Sequence, residues 1–296
     1  MKAISAGILE IAYNETGPAD GLPVVLLHGF PYDIHAYDAV AEMLGASGYR
    51  CIVPFLRGFG ATRFLSESSP RSGEQAALGA DLLALLDALS IETALLGGYD
   101  WGGRAACIVA ALRPDRVRGL VSCGTGYNIQ NIAQAGNPVP PEEEARYWYQ
   151  YYFHSRRGRT ALERNRRELC EFIWKIWSPT WTFDRAAFDR TAIAFDNPDF
   201  VDIVIHSYRH RYGGVPGDPQ FAEIEARLAE QPDITVPTIV LQGADDGVDP
   251  PTSIDDAKPH FRAGYERRII PGVGHNPPQE APETFAAAIL DLARHC

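Results

Sequence analysis

A carboxylate at position 100 stands between two glycine pairs, in Gly97-Gly98-Tyr99-Asp100-Trp101-Gly102-Gly103, where an apolar strand gives way to a helix. Gly98 and Gly102 flank Asp100 at the spacing of the serine turn G-x-S-x-G, with Asp in place of Ser. A strand-to-helix turn of this kind holds its central residue on strained backbone, and small neighbours let the chain bend that tightly. The positive end of the following helix favours the anionic carboxylate. An ionised carboxylate needs no base before it attacks a saturated carbon, so the chemistry on offer is a covalent ester. Taken alone, Asp100 could instead be a helix N-cap in a glycine-rich turn.

Three further motifs argue for the nucleophile. His28-Gly29-Phe30-Pro31 follows the third strand. A backbone N–H there, at Phe30, together with that of Trp101 would face the oxygen of an ester on Asp100 and form an oxyanion hole. On its own the segment could be a tight turn with a cis Phe30–Pro31 bond. Gly274-His275-Asn276 follows the last strand, where His275 is placed to act as a base; a solitary His is more often structural. Gly243-Ala244-Asp245-Asp246 follows the strand before it, and one of its carboxylates should orient His275 and stabilise its cation. Asp246 is the choice, with Asp245 and Asp249 as alternatives; any of them could cap a helix.

The elements that position these residues alternate along the chain. The apolar run Val24–His28, between Pro23 and Gly29, reads as a buried strand. Ile4–Glu10 and Ile11–Thr16 read as a hairpin, Asp38–Ala46 as a helix and Arg50–Val53 as a strand. Ala76, Leu78, Leu82, Leu85 and Leu89 recur at helical spacing. Thr93–Leu96 is a strand, Gly102–Leu112 a helix and Val117–Ser122 a strand. Such alternation predicts a mostly parallel sheet flanked by helices. It stops near Gly126 and resumes at the strand Val236–Gln242, followed by a helix, a strand Tyr265–Ile270 and a final helix from Ala281. Between lies a segment rich in Tyr, Trp, Arg and Pro with no clear buried strand. The predicted organisation is an α/β core from residues 1–126 and 232–296, interrupted by a helical cap over 127–231.

Length and composition fit this reading. The 296 residues suffice for one α/β core with an inserted lobe. A net charge of −11 argues against nucleic-acid binding, and the basic run Arg156–Arg167 reads as a solvated helix face. Cys51, Cys107, Cys123, Cys170 and Cys296 show no metal spacing and read as reduced packing thiols, which suggests the cytoplasm. The first residues lack the apolar stretch of a signal peptide or membrane anchor. No metal or organic cofactor is implied, and a homodimer is compatible with the sequence.

The motifs HGFP, Arg57-Gly58-Phe59-Gly60, GYDWGG and the late GH together resemble the epoxide hydrolases and haloalkane dehalogenases of the α/β-hydrolase fold. In that fold the order of nucleophile, acid and His matches Asp100, Asp246 and His275. Relatives often carry Asp where this chain has Phe55. Tyr149-Gln150-Tyr151-Tyr152-Phe153 and Ser207-Tyr208-Arg209 are similar to the two segments in which soluble epoxide hydrolases place the tyrosines that contact the epoxide oxygen. The resemblance therefore implies that role for Tyr149 and Tyr208, although a Tyr in so aromatic a segment could simply pack. It implies a small apolar epoxide as substrate, with water as the second reactant. Haloalkane dehalogenases also place Trp after the nucleophile, as Trp101, but often carry Asn where this chain has Phe30; a second indole would have to come from Trp148, Trp174, Trp177 or Trp181. Fluoroacetate dehalogenases usually carry Arg after the nucleophile and again three residues on. Here Trp101 takes the first place and Arg104 the second, and Arg104 could merely pair on the core surface. Those enzymes keep their acid after the sixth strand, where this chain has Ser122-Cys123-Gly124-Thr125 and no carboxylate. The expected activity is epoxide hydrolysis, with haloalkane or haloacid dehalogenation as the alternative and a non-catalytic ligand receptor behind both.

Overall fold

The computed structural model describes residues 1–294; Cys296 lies outside them. Its strands are β1 (Lys2–Ala6), β2 (Leu9–Thr16), β3 (Pro23–Leu27), β4 (Arg50–Pro54), β5 (Arg63–Phe64), β6 (Ala94–Gly98), β7 (Val117–Cys123), β8 (Thr238–Gly243) and β9 (Tyr265–Ile270). They form one sheet in the order β1-β2-β4-β3-β6-β7-β8-β9, with β5 paired to β2. β4, β3 and β6 through β9 run parallel, and the first two strands are antiparallel. The expected α/β-hydrolase architecture is therefore present.

β3 and β6 lie at the centre of the order. Val24, Val25, Leu26, Leu95 and Leu96 are fully buried, as apolar runs covered by helices on both faces must be. Each such side chain contributes about 1.5–3 kcal/mol of transfer free energy. The first helix spans Asp38–Ala46, as expected. Between β7 and β8 the chain forms helices at Pro141–Arg146, Trp148–His154, Arg156–Trp177, Arg185–Ala192, Phe200–His210 and Ala222–Ala229.

Three local readings are corrected. The hairpin turns at Gly7-Ile8, where Gly7 takes φ +58°, instead of after Glu10. The helix after β6 starts at Asp100, two residues before the periodic run, because the turn that opens it carries no apolar pattern. The helix expected between β8 and β9 is only a 3₁₀ turn, Lys258–His260, since Pro250, Pro251 and Pro259 deny the segment its helical N–H groups.

Cys51, Cys107, Cys123 and Cys170 are buried and free. Among the described residues no helix is long and apolar enough to cross a membrane. In the basic run, Arg159 meets Asp202 and Arg167 meets Asp196 on the exposed face.

Arg57 is 1% exposed and grips Asp81 with two N–H groups, at 2.6 Å each, while donating to the Ser72 carbonyl at 2.7 Å. Removing one partner of a buried pair costs far more than the pair contributes. Arg57→Ala should lower stability by about 3 kcal/mol, read from urea unfolding; a loss under ~1 kcal/mol would mean that Asp81 takes up a proton there at little cost.

Candidate active site

β6 runs directly into the turn. Tyr99 is extended (φ −135°, ψ 157°), Asp100 lies in the left-handed region at φ +49°, and the helix Asp100–Leu112 begins at once. A side chain is held in that region only by its surroundings. Here the surroundings are backbone. A Cβ on Gly98 would come within 2.5 Å of the Gly102 carbonyl oxygen, and one on Gly102 within 2.0 Å of the Leu27 carbonyl oxygen. Neither position can accept any side chain, so both glycines of the motif have a steric reason.

Asp100 Oδ1 accepts the Phe30 N–H at 2.8 Å. Phe30 is brought there by the turn after β3, in which the Phe30–Pro31 peptide is cis. His28 braces that turn. Its Nε2 accepts the Leu56 N–H at 3.1 Å, which puts the ring proton on Nδ1, 3.0 Å from the Gly29 carbonyl. Burial holds His28 neutral, with a pKa of about 4. Sequence reasoning gave it no role, because nothing in the spacing separates a bracing His from a bystander.

His275 Nδ1 lies 2.9 and 3.1 Å from the two carboxylate oxygens of Asp246. Asp246 Oδ1 also accepts the N–H groups of Val248 and Asp249, at 2.8 and 3.1 Å, which fixes its orientation. The structure thus brings Asp246 to His275. Asp249 turns instead to the Tyr147 hydroxyl, at 2.7 Å, and Asp245 is half-buried with no contact to the imidazole. His275 Nε2 faces Asp100 Oδ2 at 3.8 Å, beyond hydrogen-bond contact. Burial opposes charge on His275, yet Asp246 and Asp100 raise its pKa well above the usual imidazole value. Burial alone would push Asp100 up; the neighbouring His275, Arg104 and the Phe30 N–H outweigh it and hold the carboxylate below its usual range.

Ser178 and Glu280 were not anticipated. Ser178 Oγ accepts the His275 N–H at 3.0 Å and donates to Glu280 at 2.6 Å. Glu280 accepts the N–H groups of Gly274 and Asn276, at 2.7 and 2.9 Å. One residue earlier, the Trp177 carbonyl accepts the Gly247 N–H at 2.9 Å. The end of the long helix Arg156–Trp177 is therefore bonded to the loops that carry both His275 and Asp246.

Tyr149 and Tyr208 come from the helices Trp148–His154 and Phe200–His210, and their rings meet edge to face with centroids 5.4 Å apart. Both are buried, and burial raises both phenol pKa values, so each keeps its proton to donate. The Tyr149 hydroxyl accepts from the Gln150 amide at 3.0 Å, and the buried Tyr208 hydroxyl has no partner among the described residues. Tyr208 also stands against Phe30 and Trp101, at 5.5 and 5.9 Å between centroids. The indole N–H groups of Trp101 and Trp177 are buried without an acceptor among the described residues. Trp174 donates to the Pro31 carbonyl at 2.8 Å and is spoken for.

A cavity of about 300 Å³ joins Asp100, His275 and Tyr149. Arg104 lines it too and is 8% exposed, so it does not pair on the core surface as one reading of the sequence allowed. Elsewhere, among the described residues, Glu74, His210 and Glu225 bring ligand atoms within 4.8 Å of one another. Their carboxylates already accept from Ser72, Asp218, Gln75 and Ala76, so we assign no metal there.

A carboxylate on a strand-to-helix elbow, with a His–Asp pair from the last two strands, defines a class. The chain belongs to the α/β-hydrolase fold family, whose profile matches residues 23–282. Among solved structures it is similar to a protein of Klebsiella pneumoniae subsp. pneumoniae, provisionally named an epoxide hydrolase, at 49% identity and a TM-score of 0.96, with 99% of this chain and 97% of that one covered. Epoxide hydrolase 3 of Siraitia grosvenorii is 38% identical over 125 residues, which span 42% of this chain and 38% of that protein. Epoxide hydrolase A of Mycobacterium tuberculosis is 26% identical over 303 residues, covering 92% of this chain and 90% of that one.

Proposed function

We propose that this chain hydrolyses an epoxide to a vicinal diol through a covalent ester on Asp100. The observation that carries the reading is the carboxylate on the elbow, ionised and with the Asp246–His275 pair 3.8 Å away. Asp100 attacks an oxirane carbon; the C–O bond breaks, and Tyr149 and Tyr208 bind and protonate the departing oxygen. His275, oriented by Asp246, then takes a proton from water, whose oxygen adds to the ester carbonyl. The N–H groups of Phe30 and Trp101 hold the oxyanion until it collapses; the expelled alkoxide takes the proton held by His275 and leaves as the diol, and the proton of the freed Asp100 carboxylic acid restores the tyrosine through solvent. No step calls for a metal or organic cofactor. The names borne by the relatives support the choice of an epoxide.

A single turnover in ¹⁸O-water, with enzyme in excess, tests the route. The diol should contain ordinary oxygen, and the label should appear in the peptide that carries Asp100. Label in the diol with none in that peptide would make Asp100 a general base acting on water, and the ester mechanism would be wrong.

One observation favours a second reading. The unpaired indole N–H groups of Trp101 and Trp177 lie on rings that both pack against Phe30, at 5.7 and 6.3 Å between centroids, as donors to a halide could. Scoring a panel of epoxides and bromoalkanes for diol and for bromide separates the two.

A further inference from the structure

The wall of the cavity carries two arginines, Arg104 and Arg211, that form no ion pair with a carboxylate among the described residues. Arg104 sits one helical turn beyond Asp100 and faces the same space. Its Nε donates to the Asn128 carbonyl at 3.2 Å, and among the described residues no carboxylate pairs with the guanidinium. Arg211 reaches the cavity from just beyond the helix Phe200–His210. Its Nη1 donates to Gln150 at 3.1 Å, and its guanidinium lies 4.4 Å above the Tyr208 ring. Its Nε and Nη2 are buried with no acceptor among the described residues.

Arg104 is buried and Arg211 half-buried in the lining of one cavity, and cations so placed are costly unless an anion joins them. Burial and the nearby Arg211 press the Arg104 pKa down to about 10. The acids at hand are committed elsewhere. Asp100 takes the Phe30 N–H and faces His275, and Asp249, pushed up by burial, takes the Tyr147 hydroxyl. What fits the remaining N–H groups is a planar anion, since the guanidinium fork matches a carboxylate with two parallel hydrogen bonds. The setting strengthens the argument. A chain of net charge −11 repels anions in general, so a local pair of cations at the floor of its active site is a selective feature.

We infer that the substrate carries a carboxylate, seated against Arg104 and Arg211 while its oxirane faces Asp100. This rests on the epoxide reading above and replaces the apolar substrate expected from sequence with an epoxy acid. The rival account is that Arg104 only steadies the Asp100 charge and Arg211 only packs; it predicts indifference to substrate charge.

The test compares phenylglycidate with its isosteric neutral amide. The wild-type kcat/KM should favour the carboxylate at least tenfold, and Arg211→Gln and Arg104→Gln should each bring that ratio close to one. Hydrolysis of the amide as well as the acid, or variants that slow both alike, would overturn the inference and leave the epoxide reading intact. If neither compound gives diol, the epoxide reading falls. The anion site is then judged without turnover, by calorimetry of phenylacetate and phenylacetamide on the wild-type protein. At least tenfold tighter binding of phenylacetate upholds it, and equal binding sinks it. That arm also covers variants that fail to fold.

Discussion

His275→Gln should leave a protein that alkylates itself once and then stops. Asp100 is already ionised, so forming the ester requires no base. Hydrolysing it does, because water is a poor nucleophile until a proton is taken from it. Glutamine retains a hydrogen-bonding group for Asp246 but cannot accept that proton at neutral pH. Turnover should fall ~10⁴-fold, the upper end for loss of a general base. Mixed with substrate, the intact protein should gain the mass of one epoxide, on the peptide that carries Asp100. An inactive variant that never gains mass would show that His275 also serves the first step, and this division of labour would be abandoned.

The second large effect belongs to the tyrosines. An alkoxide leaves a carbon badly unless it receives hydrogen bonds and a proton as the bond breaks. Tyr149→Phe and Tyr208→Phe keep the packing of both rings and remove only the donors. Each should slow ester formation, and the double variant should slow it by 10²- to 10³-fold, in the range of general-acid and oxyanion contacts. The single effects should not add, since both hydroxyls serve one oxygen. Single-turnover alkylation is the measurement, with ester hydrolysis as the internal control that should hardly change. Rapid bromide release from bromoalkanes that ignores both substitutions would give the site to the dehalogenases.

What could be read in the sequence was the chemistry of turns. The elbow at Asp100, the HGFP segment and the glycines before His275 each impose a local demand that only certain residues meet, so residue type and spacing betray them. The parallel strands were legible for a similar reason, as short apolar runs bounded by Gly or Pro. The bracing contacts were not. Ser178 meets His275 across 97 residues of chain and Glu280 across 102, distances over which no periodicity speaks. Arg104 is the sharpest case. Its place one turn beyond Asp100 was plain, but whether it faced solvent or the cavity depended on the helices packed above it. Arg211 lay in a stretch rich in Arg and His, where Arg209, His210 and Arg211 are all half-buried and nothing in the spacing marks the one that reaches the cavity.

The bonds at Trp177 and Ser178 set a limit on how this enzyme can breathe. They pin one corner of the helical insertion to the loops of His275 and Asp246, so lifting that corner would unseat the base. Further bonds hold the insertion down: the Arg146 Nε donates to the Val248 carbonyl at 2.9 Å, the Tyr147 hydroxyl to Asp249 at 2.7 Å, and the Gly73 N–H to His206 at 3.1 Å. Tyr149 and Tyr208 stand on the insertion, whereas Asp100, Asp246 and His275 stand on the core. In the proposed mechanism the two half-reactions would therefore draw on different parts of the chain: alkylation would need both parts together, and clearing the ester would need only the core.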